Sequence, residues 1–257
     1  MTIRTRRTDA LVAVGGTVLL MAALSGCGST DMKDAPDEHK SFAFSGKALT
    51  IAADNSSLEL VSADVKEIEV TRRVGGWVVL GSGPDPVWKL DGDTLRLEVK
   101  CGGMISDCDG HHVVKVPRGV ALTATGSNGE LAATGFSAPL KLTGDNGGIQ
   151  VSDISGPVEL SSDNGSIEAD RISGASVTAR SDNGSIKIGF TEIPDLVDTV
   201  SDNGRIAIDL PAGKETYAVS AAADNGDVSV TVPRSDSSKH VVKARSDNGE
   251  ITVRSAN

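Results

Sequence analysis

Ser181-Asp182-Asn183-Gly184 is followed twenty residues later by Ser201-Asp202-Asn203-Gly204, two copies of a phrase that returns seven times. Its other copies are Gly126-Ser127-Asn128-Gly129, Gly144-Asp145-Asn146-Gly147, Ser162-Asp163-Asn164-Gly165, Ala223-Asp224-Asn225-Gly226 and Ser246-Asp247-Asn248-Gly249. The seven Asn lie 18, 18, 19, 20, 22 and 23 residues apart. Repeats of this length mark a solenoid, in which each unit buries its apolar face only against its neighbours. Aligned on Asn, apolar or small residues stand six, four and two places before it and three and five after it. The fourth copy shows this with Val177, Ala179, Ser181, Ile186 and Ile188. A period of two is that of a strand with one buried face, so each repeat reads as strand, Asn-Gly corner, strand.

Two all-β architectures fit this pattern. An antiparallel meander uses Asn-Gly as hairpin turns, whereas a β-helix stacks each repeat on the one before. Recurrence of the whole phrase at one phase favours the β-helix, where like residues stack at ~4.8 Å. Asn shares the parity of the apolar residues before it, so its side chain is expected to start inward and the preceding Asp to face water. The corner is expected to use the tolerance of Asn and Gly for positive φ. The lengthening spacings are assigned to the side opposite the corner, where Gly156-Pro157, Pro194, Pro211-Ala212-Gly213 and Pro233 fall. On this reading Ile251 to Asn257 form the last, bare edge of the array.

From about Ser41 to Asn257, and most clearly from His112-Val113-Val114-Lys115-Val116-Pro117 onward, the chain resembles the bacterial putative-adhesin β-solenoid domains of unknown function. The resemblance implies an all-β extracytoplasmic domain and brings no catalytic residues with it. Composition agrees: aromatic residues make up 3% of the chain and Gly numbers 29, as suits a narrow aliphatic coil.

Residues 1–26 read as a lipoprotein signal peptide. Arg4, Arg6 and Arg7 precede an apolar stretch from Leu11 to Leu24, too short to span a bilayer comfortably. It closes on Leu24-Ser25-Gly26-Cys27, which resembles a lipobox and implies acylation of Cys27 by diacylglycerol. An ordinary signal peptide is the alternative, and Thr5-Arg6-Arg7 leaves twin-arginine export open. Residues 27–40 form a polar tether. Removing residues 1–26 takes away three Arg and Asp9, leaving 22 basic and 34 acidic side chains and a net charge of −12. Such a balance disfavours nucleic acid.

Residues 41–119 are β-rich but irregular, with Ala53-Asp54-Asn55-Ser56 as a worn corner, and residues 120–257 hold the repeats. Trp77 and Trp88 are expected to close the first coil, with a sugar-stacking platform as the alternative. Cys101 and Cys108 flank a short loop followed by His111-His112. In an oxidising compartment a disulfide is the simplest use. Zinc is the competing one, weakened because adjacent His on a strand take opposite faces.

Gly-x-Ser-x-Gly, His-Glu-x-x-His and phosphate-loop motifs are missing, and His39 and His240 read as solvated. Asp145, Asp163, Asp182, Asp202, Asp224 and Asp247 form an outward row. Its mutual repulsion can be relieved by corner N–H groups, by raised pKa values or by Ca²⁺, the first being the default. The expectation is a lipid-anchored, monomeric, non-catalytic adhesin-like or scaffold protein of the cell envelope. It needs no metal or cofactor, and its partner is an envelope protein or glycan. A carbohydrate-active β-helix enzyme, with a local set of carboxylates, is the alternative.

Overall fold

The computed structural model describes residues 35–256. All nineteen of its regular elements are strands. The chain opens with β1 (Glu38–Phe42), β2 (Ala48–Asp54) and β3 (Ser56–Ala63), then two long strands, β4 (Ile68–Asp91) and β5 (Thr94–Pro117). Paired short strands follow: β6 (Ala121–Asn128) and β7 (Leu131–Thr134), β8 (Leu140–Asn146) and β9 (Ile149–Ser152), β10 (Val158–Ser162) and β11 (Ile167–Ile172). The series continues with β12 (Ser176–Ser181) and β13 (Ile186–Phe190), then β14 (Leu196–Asn203) and β15 (Ile206–Leu210). Last come β16 (Ala218–Asn225) and β17 (Val228–Val230), then β18 (Val241–Asn248) and β19 (Ile251–Ser255).

Each pair is one coil of a β-helix. First strands pair in parallel with first strands and second with second, in the register set by the repeat: Val158 lies beside Leu140 and Val177, and Ile167 beside Ile149 and Ile186. The alternating residues therefore stack into continuous buried rows such as Val177, Ala179, Ile186 and Ile188. A third row, absent from the sequence reading, comes from the side opposite the corner. Phe136, Ile154, Ile172, Phe190 and Leu210 all point inward and are buried. Coil-to-coil backbone bonds continue there, from Ser155 N to Phe136 O and from Thr191 N to Ile172 O.

The coils do not stack in chain order. β14 and β15 pair with β18 and β19, and these pair with β16 and β17. The seventh repeat is thus inserted between the fifth and the sixth. This corrects the expectation that Ile251 to Asn257 form an open edge. The physical reason lies in side-chain content. Val242, Ala244, Ser246, Ile251 and Val253 can fill a coil covered on both sides, and all are buried. The sixth repeat offers Val219, Ala221, Ala223, Val228 and Val230, the same set except that Ala223 lacks the hydroxyl with which Ser246 bonds Gly204 O and Val228 is smaller than Ile251; at the end position Val228 is 43% exposed. Tyr217, Val232 and His240 pack beneath its connections. His240, expected on a solvated face, is buried, with Nδ1 2.9 Å from Pro194 O.

At the other end β2 and β3 form the first regular coil, in register with β6 and β7, so the solenoid begins well before residue 120. Residues 94–98 and 110–117 of β5 stack on that coil in parallel. β4 then runs antiparallel along β5, and β1 antiparallel along β4. An antiparallel layer thereby closes the end. β1 takes in Glu38 to Lys40, which the sequence assigns to the tether. Glu38 bonds Arg72 at 2.6 Å and Asp37 pairs with Arg73, fixing this segment to the edge of β4. Of the two tryptophans, Trp88 belongs to this cover, with the Arg72 guanidinium 3.7 Å from its ring centre. Trp77 does not; it is 39% exposed on a projection described below.

Candidate functional site

The corner edge is the most repeated surface of the molecule. Its amides form an unbroken chain of hydrogen bonds. Asn128 donates to Asn55 at 3.2 Å, Asn146 to Asn128 at 3.4 Å, and Asn164 to Asn146 at 3.1 Å. Asn183 donates to Asn164, Asn203 to Asn183, Asn248 to Asn203 and Asn225 to Asn248, each at 3.1 Å. The worn corner at Asn55 thus begins the ladder, and the ladder follows the spatial order of the coils.

These amides are exposed, which corrects the inward assignment. Strand parity ends at the residue two places before Asn, where the chain turns. Ser162, Ser181, Ser201 and Ser246 are the last inward residues, and each buried hydroxyl donates to the corner Gly carbonyl of the adjoining coil at 3.0–3.2 Å. Nor does the corner depend on positive φ. Among its residues only Asn55, Gly129 and Gly226 adopt it. Close stacking is what demands glycine: a Cβ on Gly165 would lie 1.9 Å from Gly147 O, and one on Gly204 2.1 Å from Gly184 O.

Beside the amides run the six carboxylates of Asp145, Asp163, Asp182, Asp202, Asp247 and Asp224, five exposed and Asp247 partly so. Among the described residues no corner N–H reaches them, contrary to the default expectation, because the coil-to-coil ladder uses those donors: Asn164 N bonds Asp145 O and Asn183 N bonds Asp163 O. Arg245 meets the last two, 3.3 Å from both Asp224 and Asp247. Among the described residues no three acidic, His or Cys side chains converge as a metal group. The row is a repeated anionic edge.

The sheet faces carry coil-to-coil ion pairs, Lys141 with Glu159, Lys187 with Glu168 and Arg254 with Asp209. Thr50, Thr123, Lys141, Glu159 and Thr178 border a shallow groove of about 320 Å³ that crosses five coils.

One coil departs from the repeat. Where β5 would make its corner, residues 99–109 leave the body and return, paired with residues 75–86 of β4 as a projecting ribbon. A disulfide joins Cys101 to Cys108, whose Cα atoms are 6.3 Å apart, so the excursion closes on itself near its root. Glycines let its two strands lie close, since a Cβ on Gly81 would lie 1.9 Å from Gly102 O. At the root His112 is fully buried with neither ring nitrogen hydrogen-bonded. Burial, with Arg72 and His111 nearby, lowers its pKa to about 4. His111, on the opposite face, lies 3.9 Å from Glu59. The pairing of the two cysteines with each other leaves neither thiol for zinc. Cys27 lies outside the described residues. The ribbon was missed by the sequence reading, although the uncharged runs from Val74 to Pro84 and from Cys101 to Ser106 were its signal.

No curated protein matches this sequence. A crystal structure described as a "putative cell adhesion protein" from Clostridium sporogenes ATCC 15579 aligns with a TM-score of 0.40 at 10% identity, over 86% of this chain and 100% of that one. The Toastrack DUF4097 family model matches residues 51–254, from the first regular coil to the inserted last one, and the chain therefore belongs to the Toastrack DUF4097 family.

Proposed function

We propose that this chain is a lipid-anchored, non-catalytic, adhesin-like or scaffold module on the outer face of the cell membrane. The observation that carries this reading is the corner edge, where the same amide and carboxylate recur on successive coils. Eight coils spaced ~4.8 Å apart make a rod about 34 Å long, with groups repeated along it. Such a surface suits an extended envelope glycan or protein that binds through many weak contacts. An active site needs converging groups at one place. The lipobox ending in Cys27 supplies the attachment. Two or more acyl chains would hold it stably, at ~0.8 kcal/mol per buried methylene.

Membrane fractionation with an alkyne fatty-acid label tests the attachment. The wild type is expected in the membrane and labelled, and Cys27→Ser unlabelled; a label retained by Cys27→Ser would overturn the acylation. Pull-down of isolated cell-envelope polymers by the protein tests the binding role. Retention weakened by Asp182→Asn with Asp202→Asn is expected. Shortening of those polymers on incubation, abolished by the same substitutions, would instead establish the carbohydrate-active enzyme.

A further inference from the structure

The ribbon formed by residues 75–86 and 99–109 gathers most of the large apolar side chains that the described residues leave in water. Leu80 is 81% exposed, Met104 85%, Ile105 60%, Val79 45% and Trp77 39%. Val79 lies opposite Ile105 in the ribbon's register, and residues 80 and 104 follow at the tip. Of its charged residues Asp85, Lys100 and Asp109 stand at the root, and Asp107 lies opposite Trp77, on the root side of the apolar cluster. The tip itself, residues 76–84 and 101–106, has none. An exposed apolar cluster on a monomer marks an interaction surface. A disulfide and closely packed glycines stiffen this one, so the apolar tip is presented at a distance from the body.

What the tip meets follows from where the chain enters the fold. Asp37 pairs with Arg73, and Arg73 stands two residues before the ribbon begins at Gly75. Ten residues separate Asp37 from Cys27, a reach of at most ~35 Å. If Cys27 is acylated, as proposed above, the lipid attachment feeds in at the ribbon's root, on the same end of the solenoid. We infer that the ribbon tip inserts into the interfacial region of the bilayer. It acts there as a second, non-covalent contact that orients the solenoid relative to the membrane. Trp77 suits the headgroup level, and Val79, Leu80, Met104 and Ile105 suit the acyl boundary. Because Asp85, Asp107 and Asp109 stand on the root side of the apolar cluster, a zwitterionic surface fits better than an anionic one.

This inference rests on the anchoring reading, and one experiment separates the two. The mature protein purified from membranes is reconstituted into phosphatidylcholine vesicles with brominated acyl chains, in a Trp88→Phe background that leaves Trp77 as the fluorophore. Flotation with the vesicles reads the anchor; quenching and a blue shift of Trp77 emission read the tip. The expected result is flotation with quenching, and flotation without quenching once Leu80→Asp and Ile105→Asp are combined. Flotation with Trp77 unquenched overturns tip insertion and leaves the anchor standing. Failure to float overturns the anchor and the inference together. A detergent-solubilised dimer that the double substitution dissociates assigns the tip to a second copy and also overturns it. Both substituted positions are solvent-exposed, and an unchanged circular dichroism spectrum and melting temperature verify that the variant is folded.

Discussion

The Asn-Gly corner and the projecting ribbon occupy the same edge of the solenoid and obey opposite rules. At the corner an Asn recurs on every regular coil, and like groups satisfy one another: amide to amide, in four coils a buried hydroxyl to a Gly carbonyl, and Gly against Gly. In the ribbon one coil gives up that partnership, turns its large apolar groups to water, and is held by a disulfide. Repetition here serves stability, and the single departure from it is where a specific contact can be made.

Breaking the corner should give the largest effect. Gly165→Ala places a Cβ 1.9 Å from Gly147 O, and neither backbone can move without shifting the adjoining coil. A loss of about 3 kcal/mol or more is expected in denaturant unfolding. Gly102→Ala in the ribbon, where the nearest atom would be 3.5 Å away, should change little. Similar losses for the two would remove the contrast.

The ribbon's root should show itself through pH. His112 has its pKa lowered to about 4 by burial and nearby Arg72, against 6.5 in the unfolded chain. As pH falls through 6.5 the unfolded chain takes up a proton that the folded one refuses. Stability therefore declines between pH 6.5 and 4 and levels below that, by about 3 kcal/mol in all. The wild-type and His112→Leu stability curves should converge or cross as pH is lowered over this window; a constant offset between them would contradict the assignment.

Smaller effects separate the two layers of the corner. Ser181→Ala deletes a buried donor to Gly165 O and should cost about 1 kcal/mol. Asn183→Ala removes an exposed amide whose partners water can serve, and its midpoint shift should be the smaller. The smallest effect belongs to Leu80→Ser at the tip, expected within about 0.5 kcal/mol of wild type by thermal melting because the side chain packs on so little.

Strand parity and corner phase were legible because like residues must stack: Asn128 beside Asn146 and Val158 beside Val177 are consequences of the repeat. The third buried row was equally available, since Phe136, Ile154, Ile172 and Phe190 recur every eighteen residues; Phe190 even continues the alternation of Ile186 and Ile188, but the other three come three residues after Ala133, Val151 and Ala169, which breaks it. The direction of Asn could not be read from parity, because parity holds only while the chain is extended. The exchange of the last two coils was hidden for another reason. Either repeat is compatible with the coil of Leu196–Leu210, and they differ inward only by Ser246 against Ala223 and Ile251 against Val228, too little for a sequence to rank them, while the long connections permit either order. The spacings of 22 and 23 residues, assigned to loop length alone, are the chain's means of passing over a coil and coming back. The anionic edge was legible as a row, and the ribbon was not, since a departure from a repeat has no template to be matched against.

The exchanged coils also set the order in which the molecule can be completed. In a simple solenoid each new turn can dock as soon as it has been made. Here, among the described residues, β16 and β17 have no sheet neighbours except β18 and β19. The sixth repeat must therefore wait, unpaired, until the seventh has arrived. A nascent chain cut short before Val241 loses the docking of two turns where it lacks the residues of one. Limited proteolysis of a chain ending at residue 240 is predicted to trim it back to about Leu210; survival of residues 218–230 would show that the sixth turn can dock on the fifth unaided. Built this way, the fold makes arrival of β18 and β19 the condition for docking β16 and β17, an order of assembly written into the topology.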